Sequence, residues 1–62
     1  MWQFKVRPVL RPSPLGKYLA WCARTTDLGN SPLDVDFAEE VHAEYGETAE
    51  EALLKLKKEV FN

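Results

Sequence analysis

The chain has one cysteine, Cys22, and one histidine, His42, in 62 residues. A single thiol cannot form an internal disulfide, and no Cys/His cluster of metal-ligand spacing can be assembled, so the two usual staples of a very small domain are excluded. No apolar run approaches the roughly 20 residues that cross a bilayer as a helix. The stretch from Met1 to Val9 has no charged-then-apolar leader pattern, which, with the lone thiol, predicts a cytoplasmic protein. Acids are missing from the first 26 residues, where Lys5, Arg7, Arg11, Lys17 and Arg24 give +5. Residues 27–62 carry all ten acids against Lys55, Lys57 and Lys58, giving −7 and a net charge of −2. Opposite charges of this kind either pair across neighbouring strands or form an acidic surface that meets a basic partner.

Catalytic patterns are also missing. His42 stands between Glu40 and Glu44, but alternate residues on a solvated strand face produce the same spacing, so no acid/base role is assigned. Asp34 and Asp36 have neither the glycine nor the distal bidentate glutamate of a calcium loop. Cys22 has no partner nearby in sequence and reads as an inert core thiol. The expectation is a non-enzymatic chain with no catalytic residues, no metal and no cofactor. At this length it forms one domain over residues 1–62 and buries only about 60% of the surface its unfolded chain exposes. Oligomerisation is then the remaining usual source of stability, and a homodimer or higher oligomer is expected.

Trp2, Phe4 and Val6 alternate with Gln3, Lys5 and Arg7, the period of a strand with one buried face. This strand stops by Leu10, because Pro12, Pro14 and Gly16 crowd the "RPSPLG" segment that follows. "KYLAWCAR" is apolar on both faces, as central strands are. From residue 33 to 45 the odd positions are apolar at six of seven places, which predicts a long or bulged third strand. A helix starting from Ser31 and Pro32 is the alternative for this segment.

A hairpin turn at Gly29 and Asn30 would make facing residues of strands two and three sum to an odd number. Tyr18, Ala20, Cys22, Phe37, Val41, Ala43 and Tyr45 would then share the inner face. Leu19, Trp21 and Ala23 would share the outer face with Asp34, Asp36, Glu40, His42 and Glu44. A bulge near Glu39 would flip part of this assignment.

In "YGETAEEALLKLKKEV", Thr48 and Glu51 form a capping box that starts a helix. Ala49, Ala52, Leu53, Leu56 and Val60 form its apolar stripe, with Leu54 and Phe61 lying off it. The predicted fold is therefore α+β: a three-stranded antiparallel sheet with one C-terminal helix packed on one face, in the order β-β-β-α.

"KYLAWC", a connecting hairpin and "GETAEEALLKLKKEV" resemble the N-terminal module of HicB-like antitoxins. That pattern is an aromatic strand, a turn, then Gly-Asp-Thr-x-Glu-Glu-Ala-Leu and a helix. Gly46, Thr48, Glu50, Glu51, Ala52 and Leu53 match it, with Glu47 in place of the aspartate. The connection here is longer than the family's tight Pro-Gly turn. The chain also ends at Asn62, where full-length members add a DNA-binding module, so operator binding is not implied. The resemblance implies a non-catalytic protein-binding module of a toxin-antitoxin system, one that assembles and masks a small basic RNA-cleaving toxin.

On that reading the partner-binding residues are Leu19, Trp21, Asp34, Asp36, Glu40 and His42, an acidic outer face with one aromatic anchor. The alternative is a stand-alone homo-oligomeric module with a nucleic-acid-linked role, served by Lys5, Arg7, Lys17 and Arg24 beside Trp21. The adjacent acids make nucleic acid the lesser reading, and no membrane partner is expected.

Overall fold

The computed structural model describes residues 2–11, 13–24, 28–35 and 38–61. Strands β1 (Trp2–Pro8), β2 (Tyr18–Arg24) and β3 (Val41–Gly46) form one antiparallel sheet in the order β1-β2-β3, and helix α1 (Ala49–Phe61) packs on one face. This is the α+β architecture expected from the sequence. Between β2 and β3, a single 3-10 turn spans Pro32–Asp34.

β1 pairs with β2 from Trp2↔Arg24 to Pro8↔Tyr18, and the Val9 amide donates to the Lys17 carbonyl at 2.8 Å. Because adjacent amides of a strand point to opposite sides, that bond turns the Pro8 nitrogen away from β2. Proline is tolerated there, on the outward side of an edge strand. Gly16 closes the turn at φ +149°, where a Cβ would stand 2.7 Å from the Gly46 carbonyl oxygen.

β3 differs from expectation in length and register. The strand begins at Val41, and residues 33 and 34 belong to the 3-10 turn. Ser31 caps that turn by accepting from the Leu33 amide at 3.3 Å, so the helix-start signal at Ser31 and Pro32 yields one turn only. Gly29 and Asn30 do not close the hairpin. β2 and β3 meet where the Arg24 amide donates to the Glu40 carbonyl at 3.0 Å, and the pairing runs from Ala23↔Val41 to Tyr18↔Gly46. These pairs sum to an even number, so even residues of β2 share a face with even residues of β3.

The face assignment therefore changes. Val41, Ala43 and Tyr45 lie on the outer face with Leu19, Trp21 and Ala23, whereas His42 and Glu44 lie on the helix face with Ala20 and Cys22. Phe37, assigned to the inner face from the sequence, lies outside the described residues.

Ala20, Cys22, Ala52 and Leu56 are fully buried between sheet and helix, with Trp2, Phe4, Val6, Tyr18, Leu53 and Val60 packed around them. Three of the four are small, which lets the helix approach the strands closely. Thr48 Oγ1 accepts from the Glu51 amide at 3.0 Å, the capping bond expected at the helix start. Glu51 sends its carboxylate to Lys55 at 3.3 Å, an i,i+4 pair. Phe61 reaches back to Phe4, ring centroids 5.7 Å apart, so it packs on the sheet as an off-stripe residue can.

Candidate functional site

Trp21 was expected as an exposed anchor on an open outer face. It is 1% exposed. Residues 30–32 lie across that face: Asn30 borders Trp21, Ser31 and Pro32 border Leu19 and Tyr45, and the Arg7 guanidinium donates to the Asn30 carbonyl at 3.3 Å. Residues 30–32 thus lie over part of the sheet's outer face, opposite α1. This takes Trp21 away as a surface anchor for a partner, and it removes the aromatic platform that a nucleic-acid face needs for stacking.

The six residues predicted to bind a partner are not brought together. Leu19 is half-buried beneath residues 31 and 32, and Trp21 is enclosed. Asp34 is exposed in the 3-10 turn and accepts from the Ser31 hydroxyl at 3.2 Å. Asp36 lies outside the described residues. Glu40 and His42 are contiguous with one another, but at the β3 side of the helix face.

The His42 side belongs to an ionic cluster that the sequence did not reveal. Its Nε2 bonds the Glu40 carboxylate, its Nδ1 lies 3.3 Å from Glu59 Oε1 on α1, and its ring meets Trp2 at 5.6 Å between centroids. Arg24 stands 6.0 Å from the centre of the Trp2 ring and pairs with Glu39 at 3.3 Å. The hydrogen bond to Glu40 is the largest influence on His42 and raises its pKa, with Glu59 adding to it against partial desolvation. Glu44 is raised by a hydrogen bond with Glu59, then by desolvation and mutual repulsion, with Lys55 opposing. Helix and strand are therefore joined by a polar clasp. Burial raises the Cys22 thiol, which keeps it neutral within the core. Among the described residues, no group of three His, Cys, Asp or Glu is placed to hold a metal ion.

The β3 edge is the other feature of chemical interest. Since the Arg24 amide donates to the Glu40 carbonyl, alternation directs the backbone groups of His42 and Glu44 toward β2 and those of Val41, Ala43 and Tyr45 outward. The outward Tyr45 carbonyl accepts from Lys55 Nζ at 3.3 Å. No strand among the described residues pairs with the outward groups of Val41 and Ala43, and both side chains are exposed. Glu39, Glu40 and Glu47 flank this edge in sequence and are exposed. A signal for the edge was present in the sequence, in the small and apolar Val41 and Ala43 set among acids, but the expected register turned them inward.

Fold and site together define a helix-backed antiparallel sheet with residues 30–32 over part of its other face and an open β3 edge flanked by acids. The chain matches no protein-family model, no curated protein and no solved structure with which it was compared. No helix among the described residues is long and apolar enough to cross a membrane.

Proposed function

We propose that this chain is a non-catalytic protein-binding module of the HicB-like kind, which neutralises a small basic RNA-cleaving protein by pairing with it along β3. The observation that carries the reading is the outward edge at Val41 and Ala43. An exposed strand edge offers main-chain hydrogen bonds to an incoming strand, and the flanking side chains select the partner. The matched residues Gly46, Thr48, Glu50, Glu51, Ala52 and Leu53 support the same reading. Thr48 caps α1 as the antitoxin pattern requires.

Charge favours a basic partner over a second copy of this chain. An RNA-cleaving cleft must attract phosphate and is basic, so Glu39, Glu40 and Glu47 complement it. Two copies joined antiparallel through β3 would instead bring their acidic flanks together, where like charges repel. This moves the masking surface from the outer face, where Trp21 is covered, to the β3 edge.

Ala43→Pro tests the proposal. It removes the outward amide while leaving the inward ladder of His42 and Glu44 in place, a position at which a strand tolerates proline. The wild type is expected to inhibit RNA cleavage by the proposed partner, a small basic RNA-cleaving protein, with binding that weakens as salt rises. Ala43→Pro is expected to lose that inhibition while keeping a cooperative thermal transition. Undiminished inhibition by a folded Ala43→Pro, or RNA cleavage by the purified wild type itself, would overturn the reading.

A further inference from the structure

Strand pairing sets Arg7, Leu19 and Tyr45 in one row across the outer face, with Arg7 opposite Leu19 and Leu19 opposite Tyr45. Neighbouring strands stand about 4.8 Å apart, so the row spans about 10 Å of sheet, from the residue with a guanidinium on β1 to the one with a phenol ring on β3. All three residues line a cleft of about 370 Å³, which Pro8, Arg11 and Pro32 border as well. That volume lies in the lower part of the range of about 300–1,000 Å³ in which small-molecule sites fall.

The cleft is cationic in a chain whose net charge is −2. Two guanidiniums line it, and no acid among the described residues does. Asp34, which accepts from the Ser31 hydroxyl at 3.2 Å, is not part of the lining. Neither Arg7 nor Arg11 forms an ion pair with a carboxylate among the described residues. The Arg7 guanidinium is held in place by donating one amino group to the Asn30 carbonyl at 3.3 Å, and its fork has further N–H groups to offer. Beside the two arginines the lining is largely apolar, with Leu19, the rings of Pro8 and Pro32, and the half-buried ring of Tyr45.

We propose that this cleft binds a nucleoside monophosphate, with the phosphate against Arg7 and Arg11 and the base along Leu19, Pro32 and the Tyr45 ring. A phosphate monoester carries about −1.5 to −2 at neutral pH and three acceptor oxygens, enough to accept from two guanidinium forks. A carboxylate, with one charge, would leave one fork uncompensated. Inorganic phosphate would leave the apolar lining uncovered, and a nucleoside would leave both cations unmatched. A flat base suits a lining of rings, and one half-buried ring serves a single base where a strand needs successive stacking platforms. The site uses side chains of the outer face and not the outward main chain of β3, so it does not rest on the protein-binding reading.

The experiment follows the Leu19 and Tyr45 amide signals of the nitrogen-15-labelled chain during titration with adenosine monophosphate, adenosine, inorganic phosphate or benzoate. Adenosine monophosphate is expected to shift both signals saturably. Adenosine, phosphate and benzoate should each bind at least about tenfold more weakly, and Arg7→Gln and Arg11→Gln should each weaken adenosine monophosphate by about tenfold, the loss of one charge-assisted hydrogen bond. Arg11 is exposed, so its variant keeps the test open if Arg7→Gln fails to fold. Signals that adenosine monophosphate does not move overturn the proposal, as does equal binding of adenosine, phosphate or benzoate. Binding unchanged in a folded variant of either arginine overturns it as well. Tighter binding of a trinucleotide with a phosphorylated five-prime end would overturn it in favour of an RNA terminus.

Discussion

The start of α1 depends on the Thr48 hydroxyl and on the absence of a side chain at Gly46. The hydroxyl satisfies the Glu51 amide, and Thr48→Ala is expected to cost about 1 kcal/mol. A Cβ on Gly46 would lie 2.5 Å from the Ala52 nitrogen, so Gly46→Ala should be the more destabilising of the two. Urea unfolding midpoints rank them directly. The cap was legible in the sequence because donor and acceptor are three residues apart. The role of His42 was not, because its second carboxylate, Glu59, is 17 residues away and on another element.

A pH dependence follows from the same residue. The folded pKa of His42 lies above its ordinary 6.5, so its contribution is fully present below that value and is lost as pH rises through the folded pKa. Glu44, raised above 4.5 in the fold, also loses a stabilising proton as pH rises, in a lower window. Thermal unfolding at low salt should therefore show the wild type more stable near about pH 6 than near pH 8, and His42→Gln should flatten that difference. A wild type more stable at the higher pH would contradict the clasp.

Among the elements, α1 and the first two strands were readable because each repeats its pattern within one short segment. The apolar stripe at Ala52 and Leu56 is the buried one, and Leu54 is 56% exposed. Leu56→Ala should cost about 2–5 kcal/mol, whereas Leu54→Ala should stay within about 0.5 kcal/mol, as chemical denaturation would show. Equal effects would mean that the helix is rotated from the face described. β3 was misread for a physical reason: apolar residues recur at odd positions from 33 to 45, but the 3-10 turn at Pro32–Asp34 interrupts the strand that this period suggests. Register was then fixed where the Arg24 amide donates to the Glu40 carbonyl and the Arg24 carbonyl accepts from the Glu39 amide, and not by Gly29. Gly29 serves a different purpose, since a Cβ there would stand 2.2 Å from the Asp34 Cβ.

At the scale of the molecule, α1 packs on one face of the sheet and residues 30–32 lie over part of the other. β2 is apolar on both sides, with Trp21 and Cys22 both buried. The sheet's free backbone then lies at its edges. Pro8 blunts β1, and Lys55 occupies the Tyr45 carbonyl, leaving Val41 and Ala43 as the exposed stretch of β3. Amide hydrogen exchange at Val41 and Ala43, measured with and without the proposed partner, a small basic RNA-cleaving protein, tests the edge most directly. Both amides are expected to exchange rapidly in the free chain, well ahead of His42 and Glu44, and to become strongly protected in the complex. Protection that appears around Leu19 and Tyr45 on the outer face, with Val41 and Ala43 still exchanging freely, would contradict it.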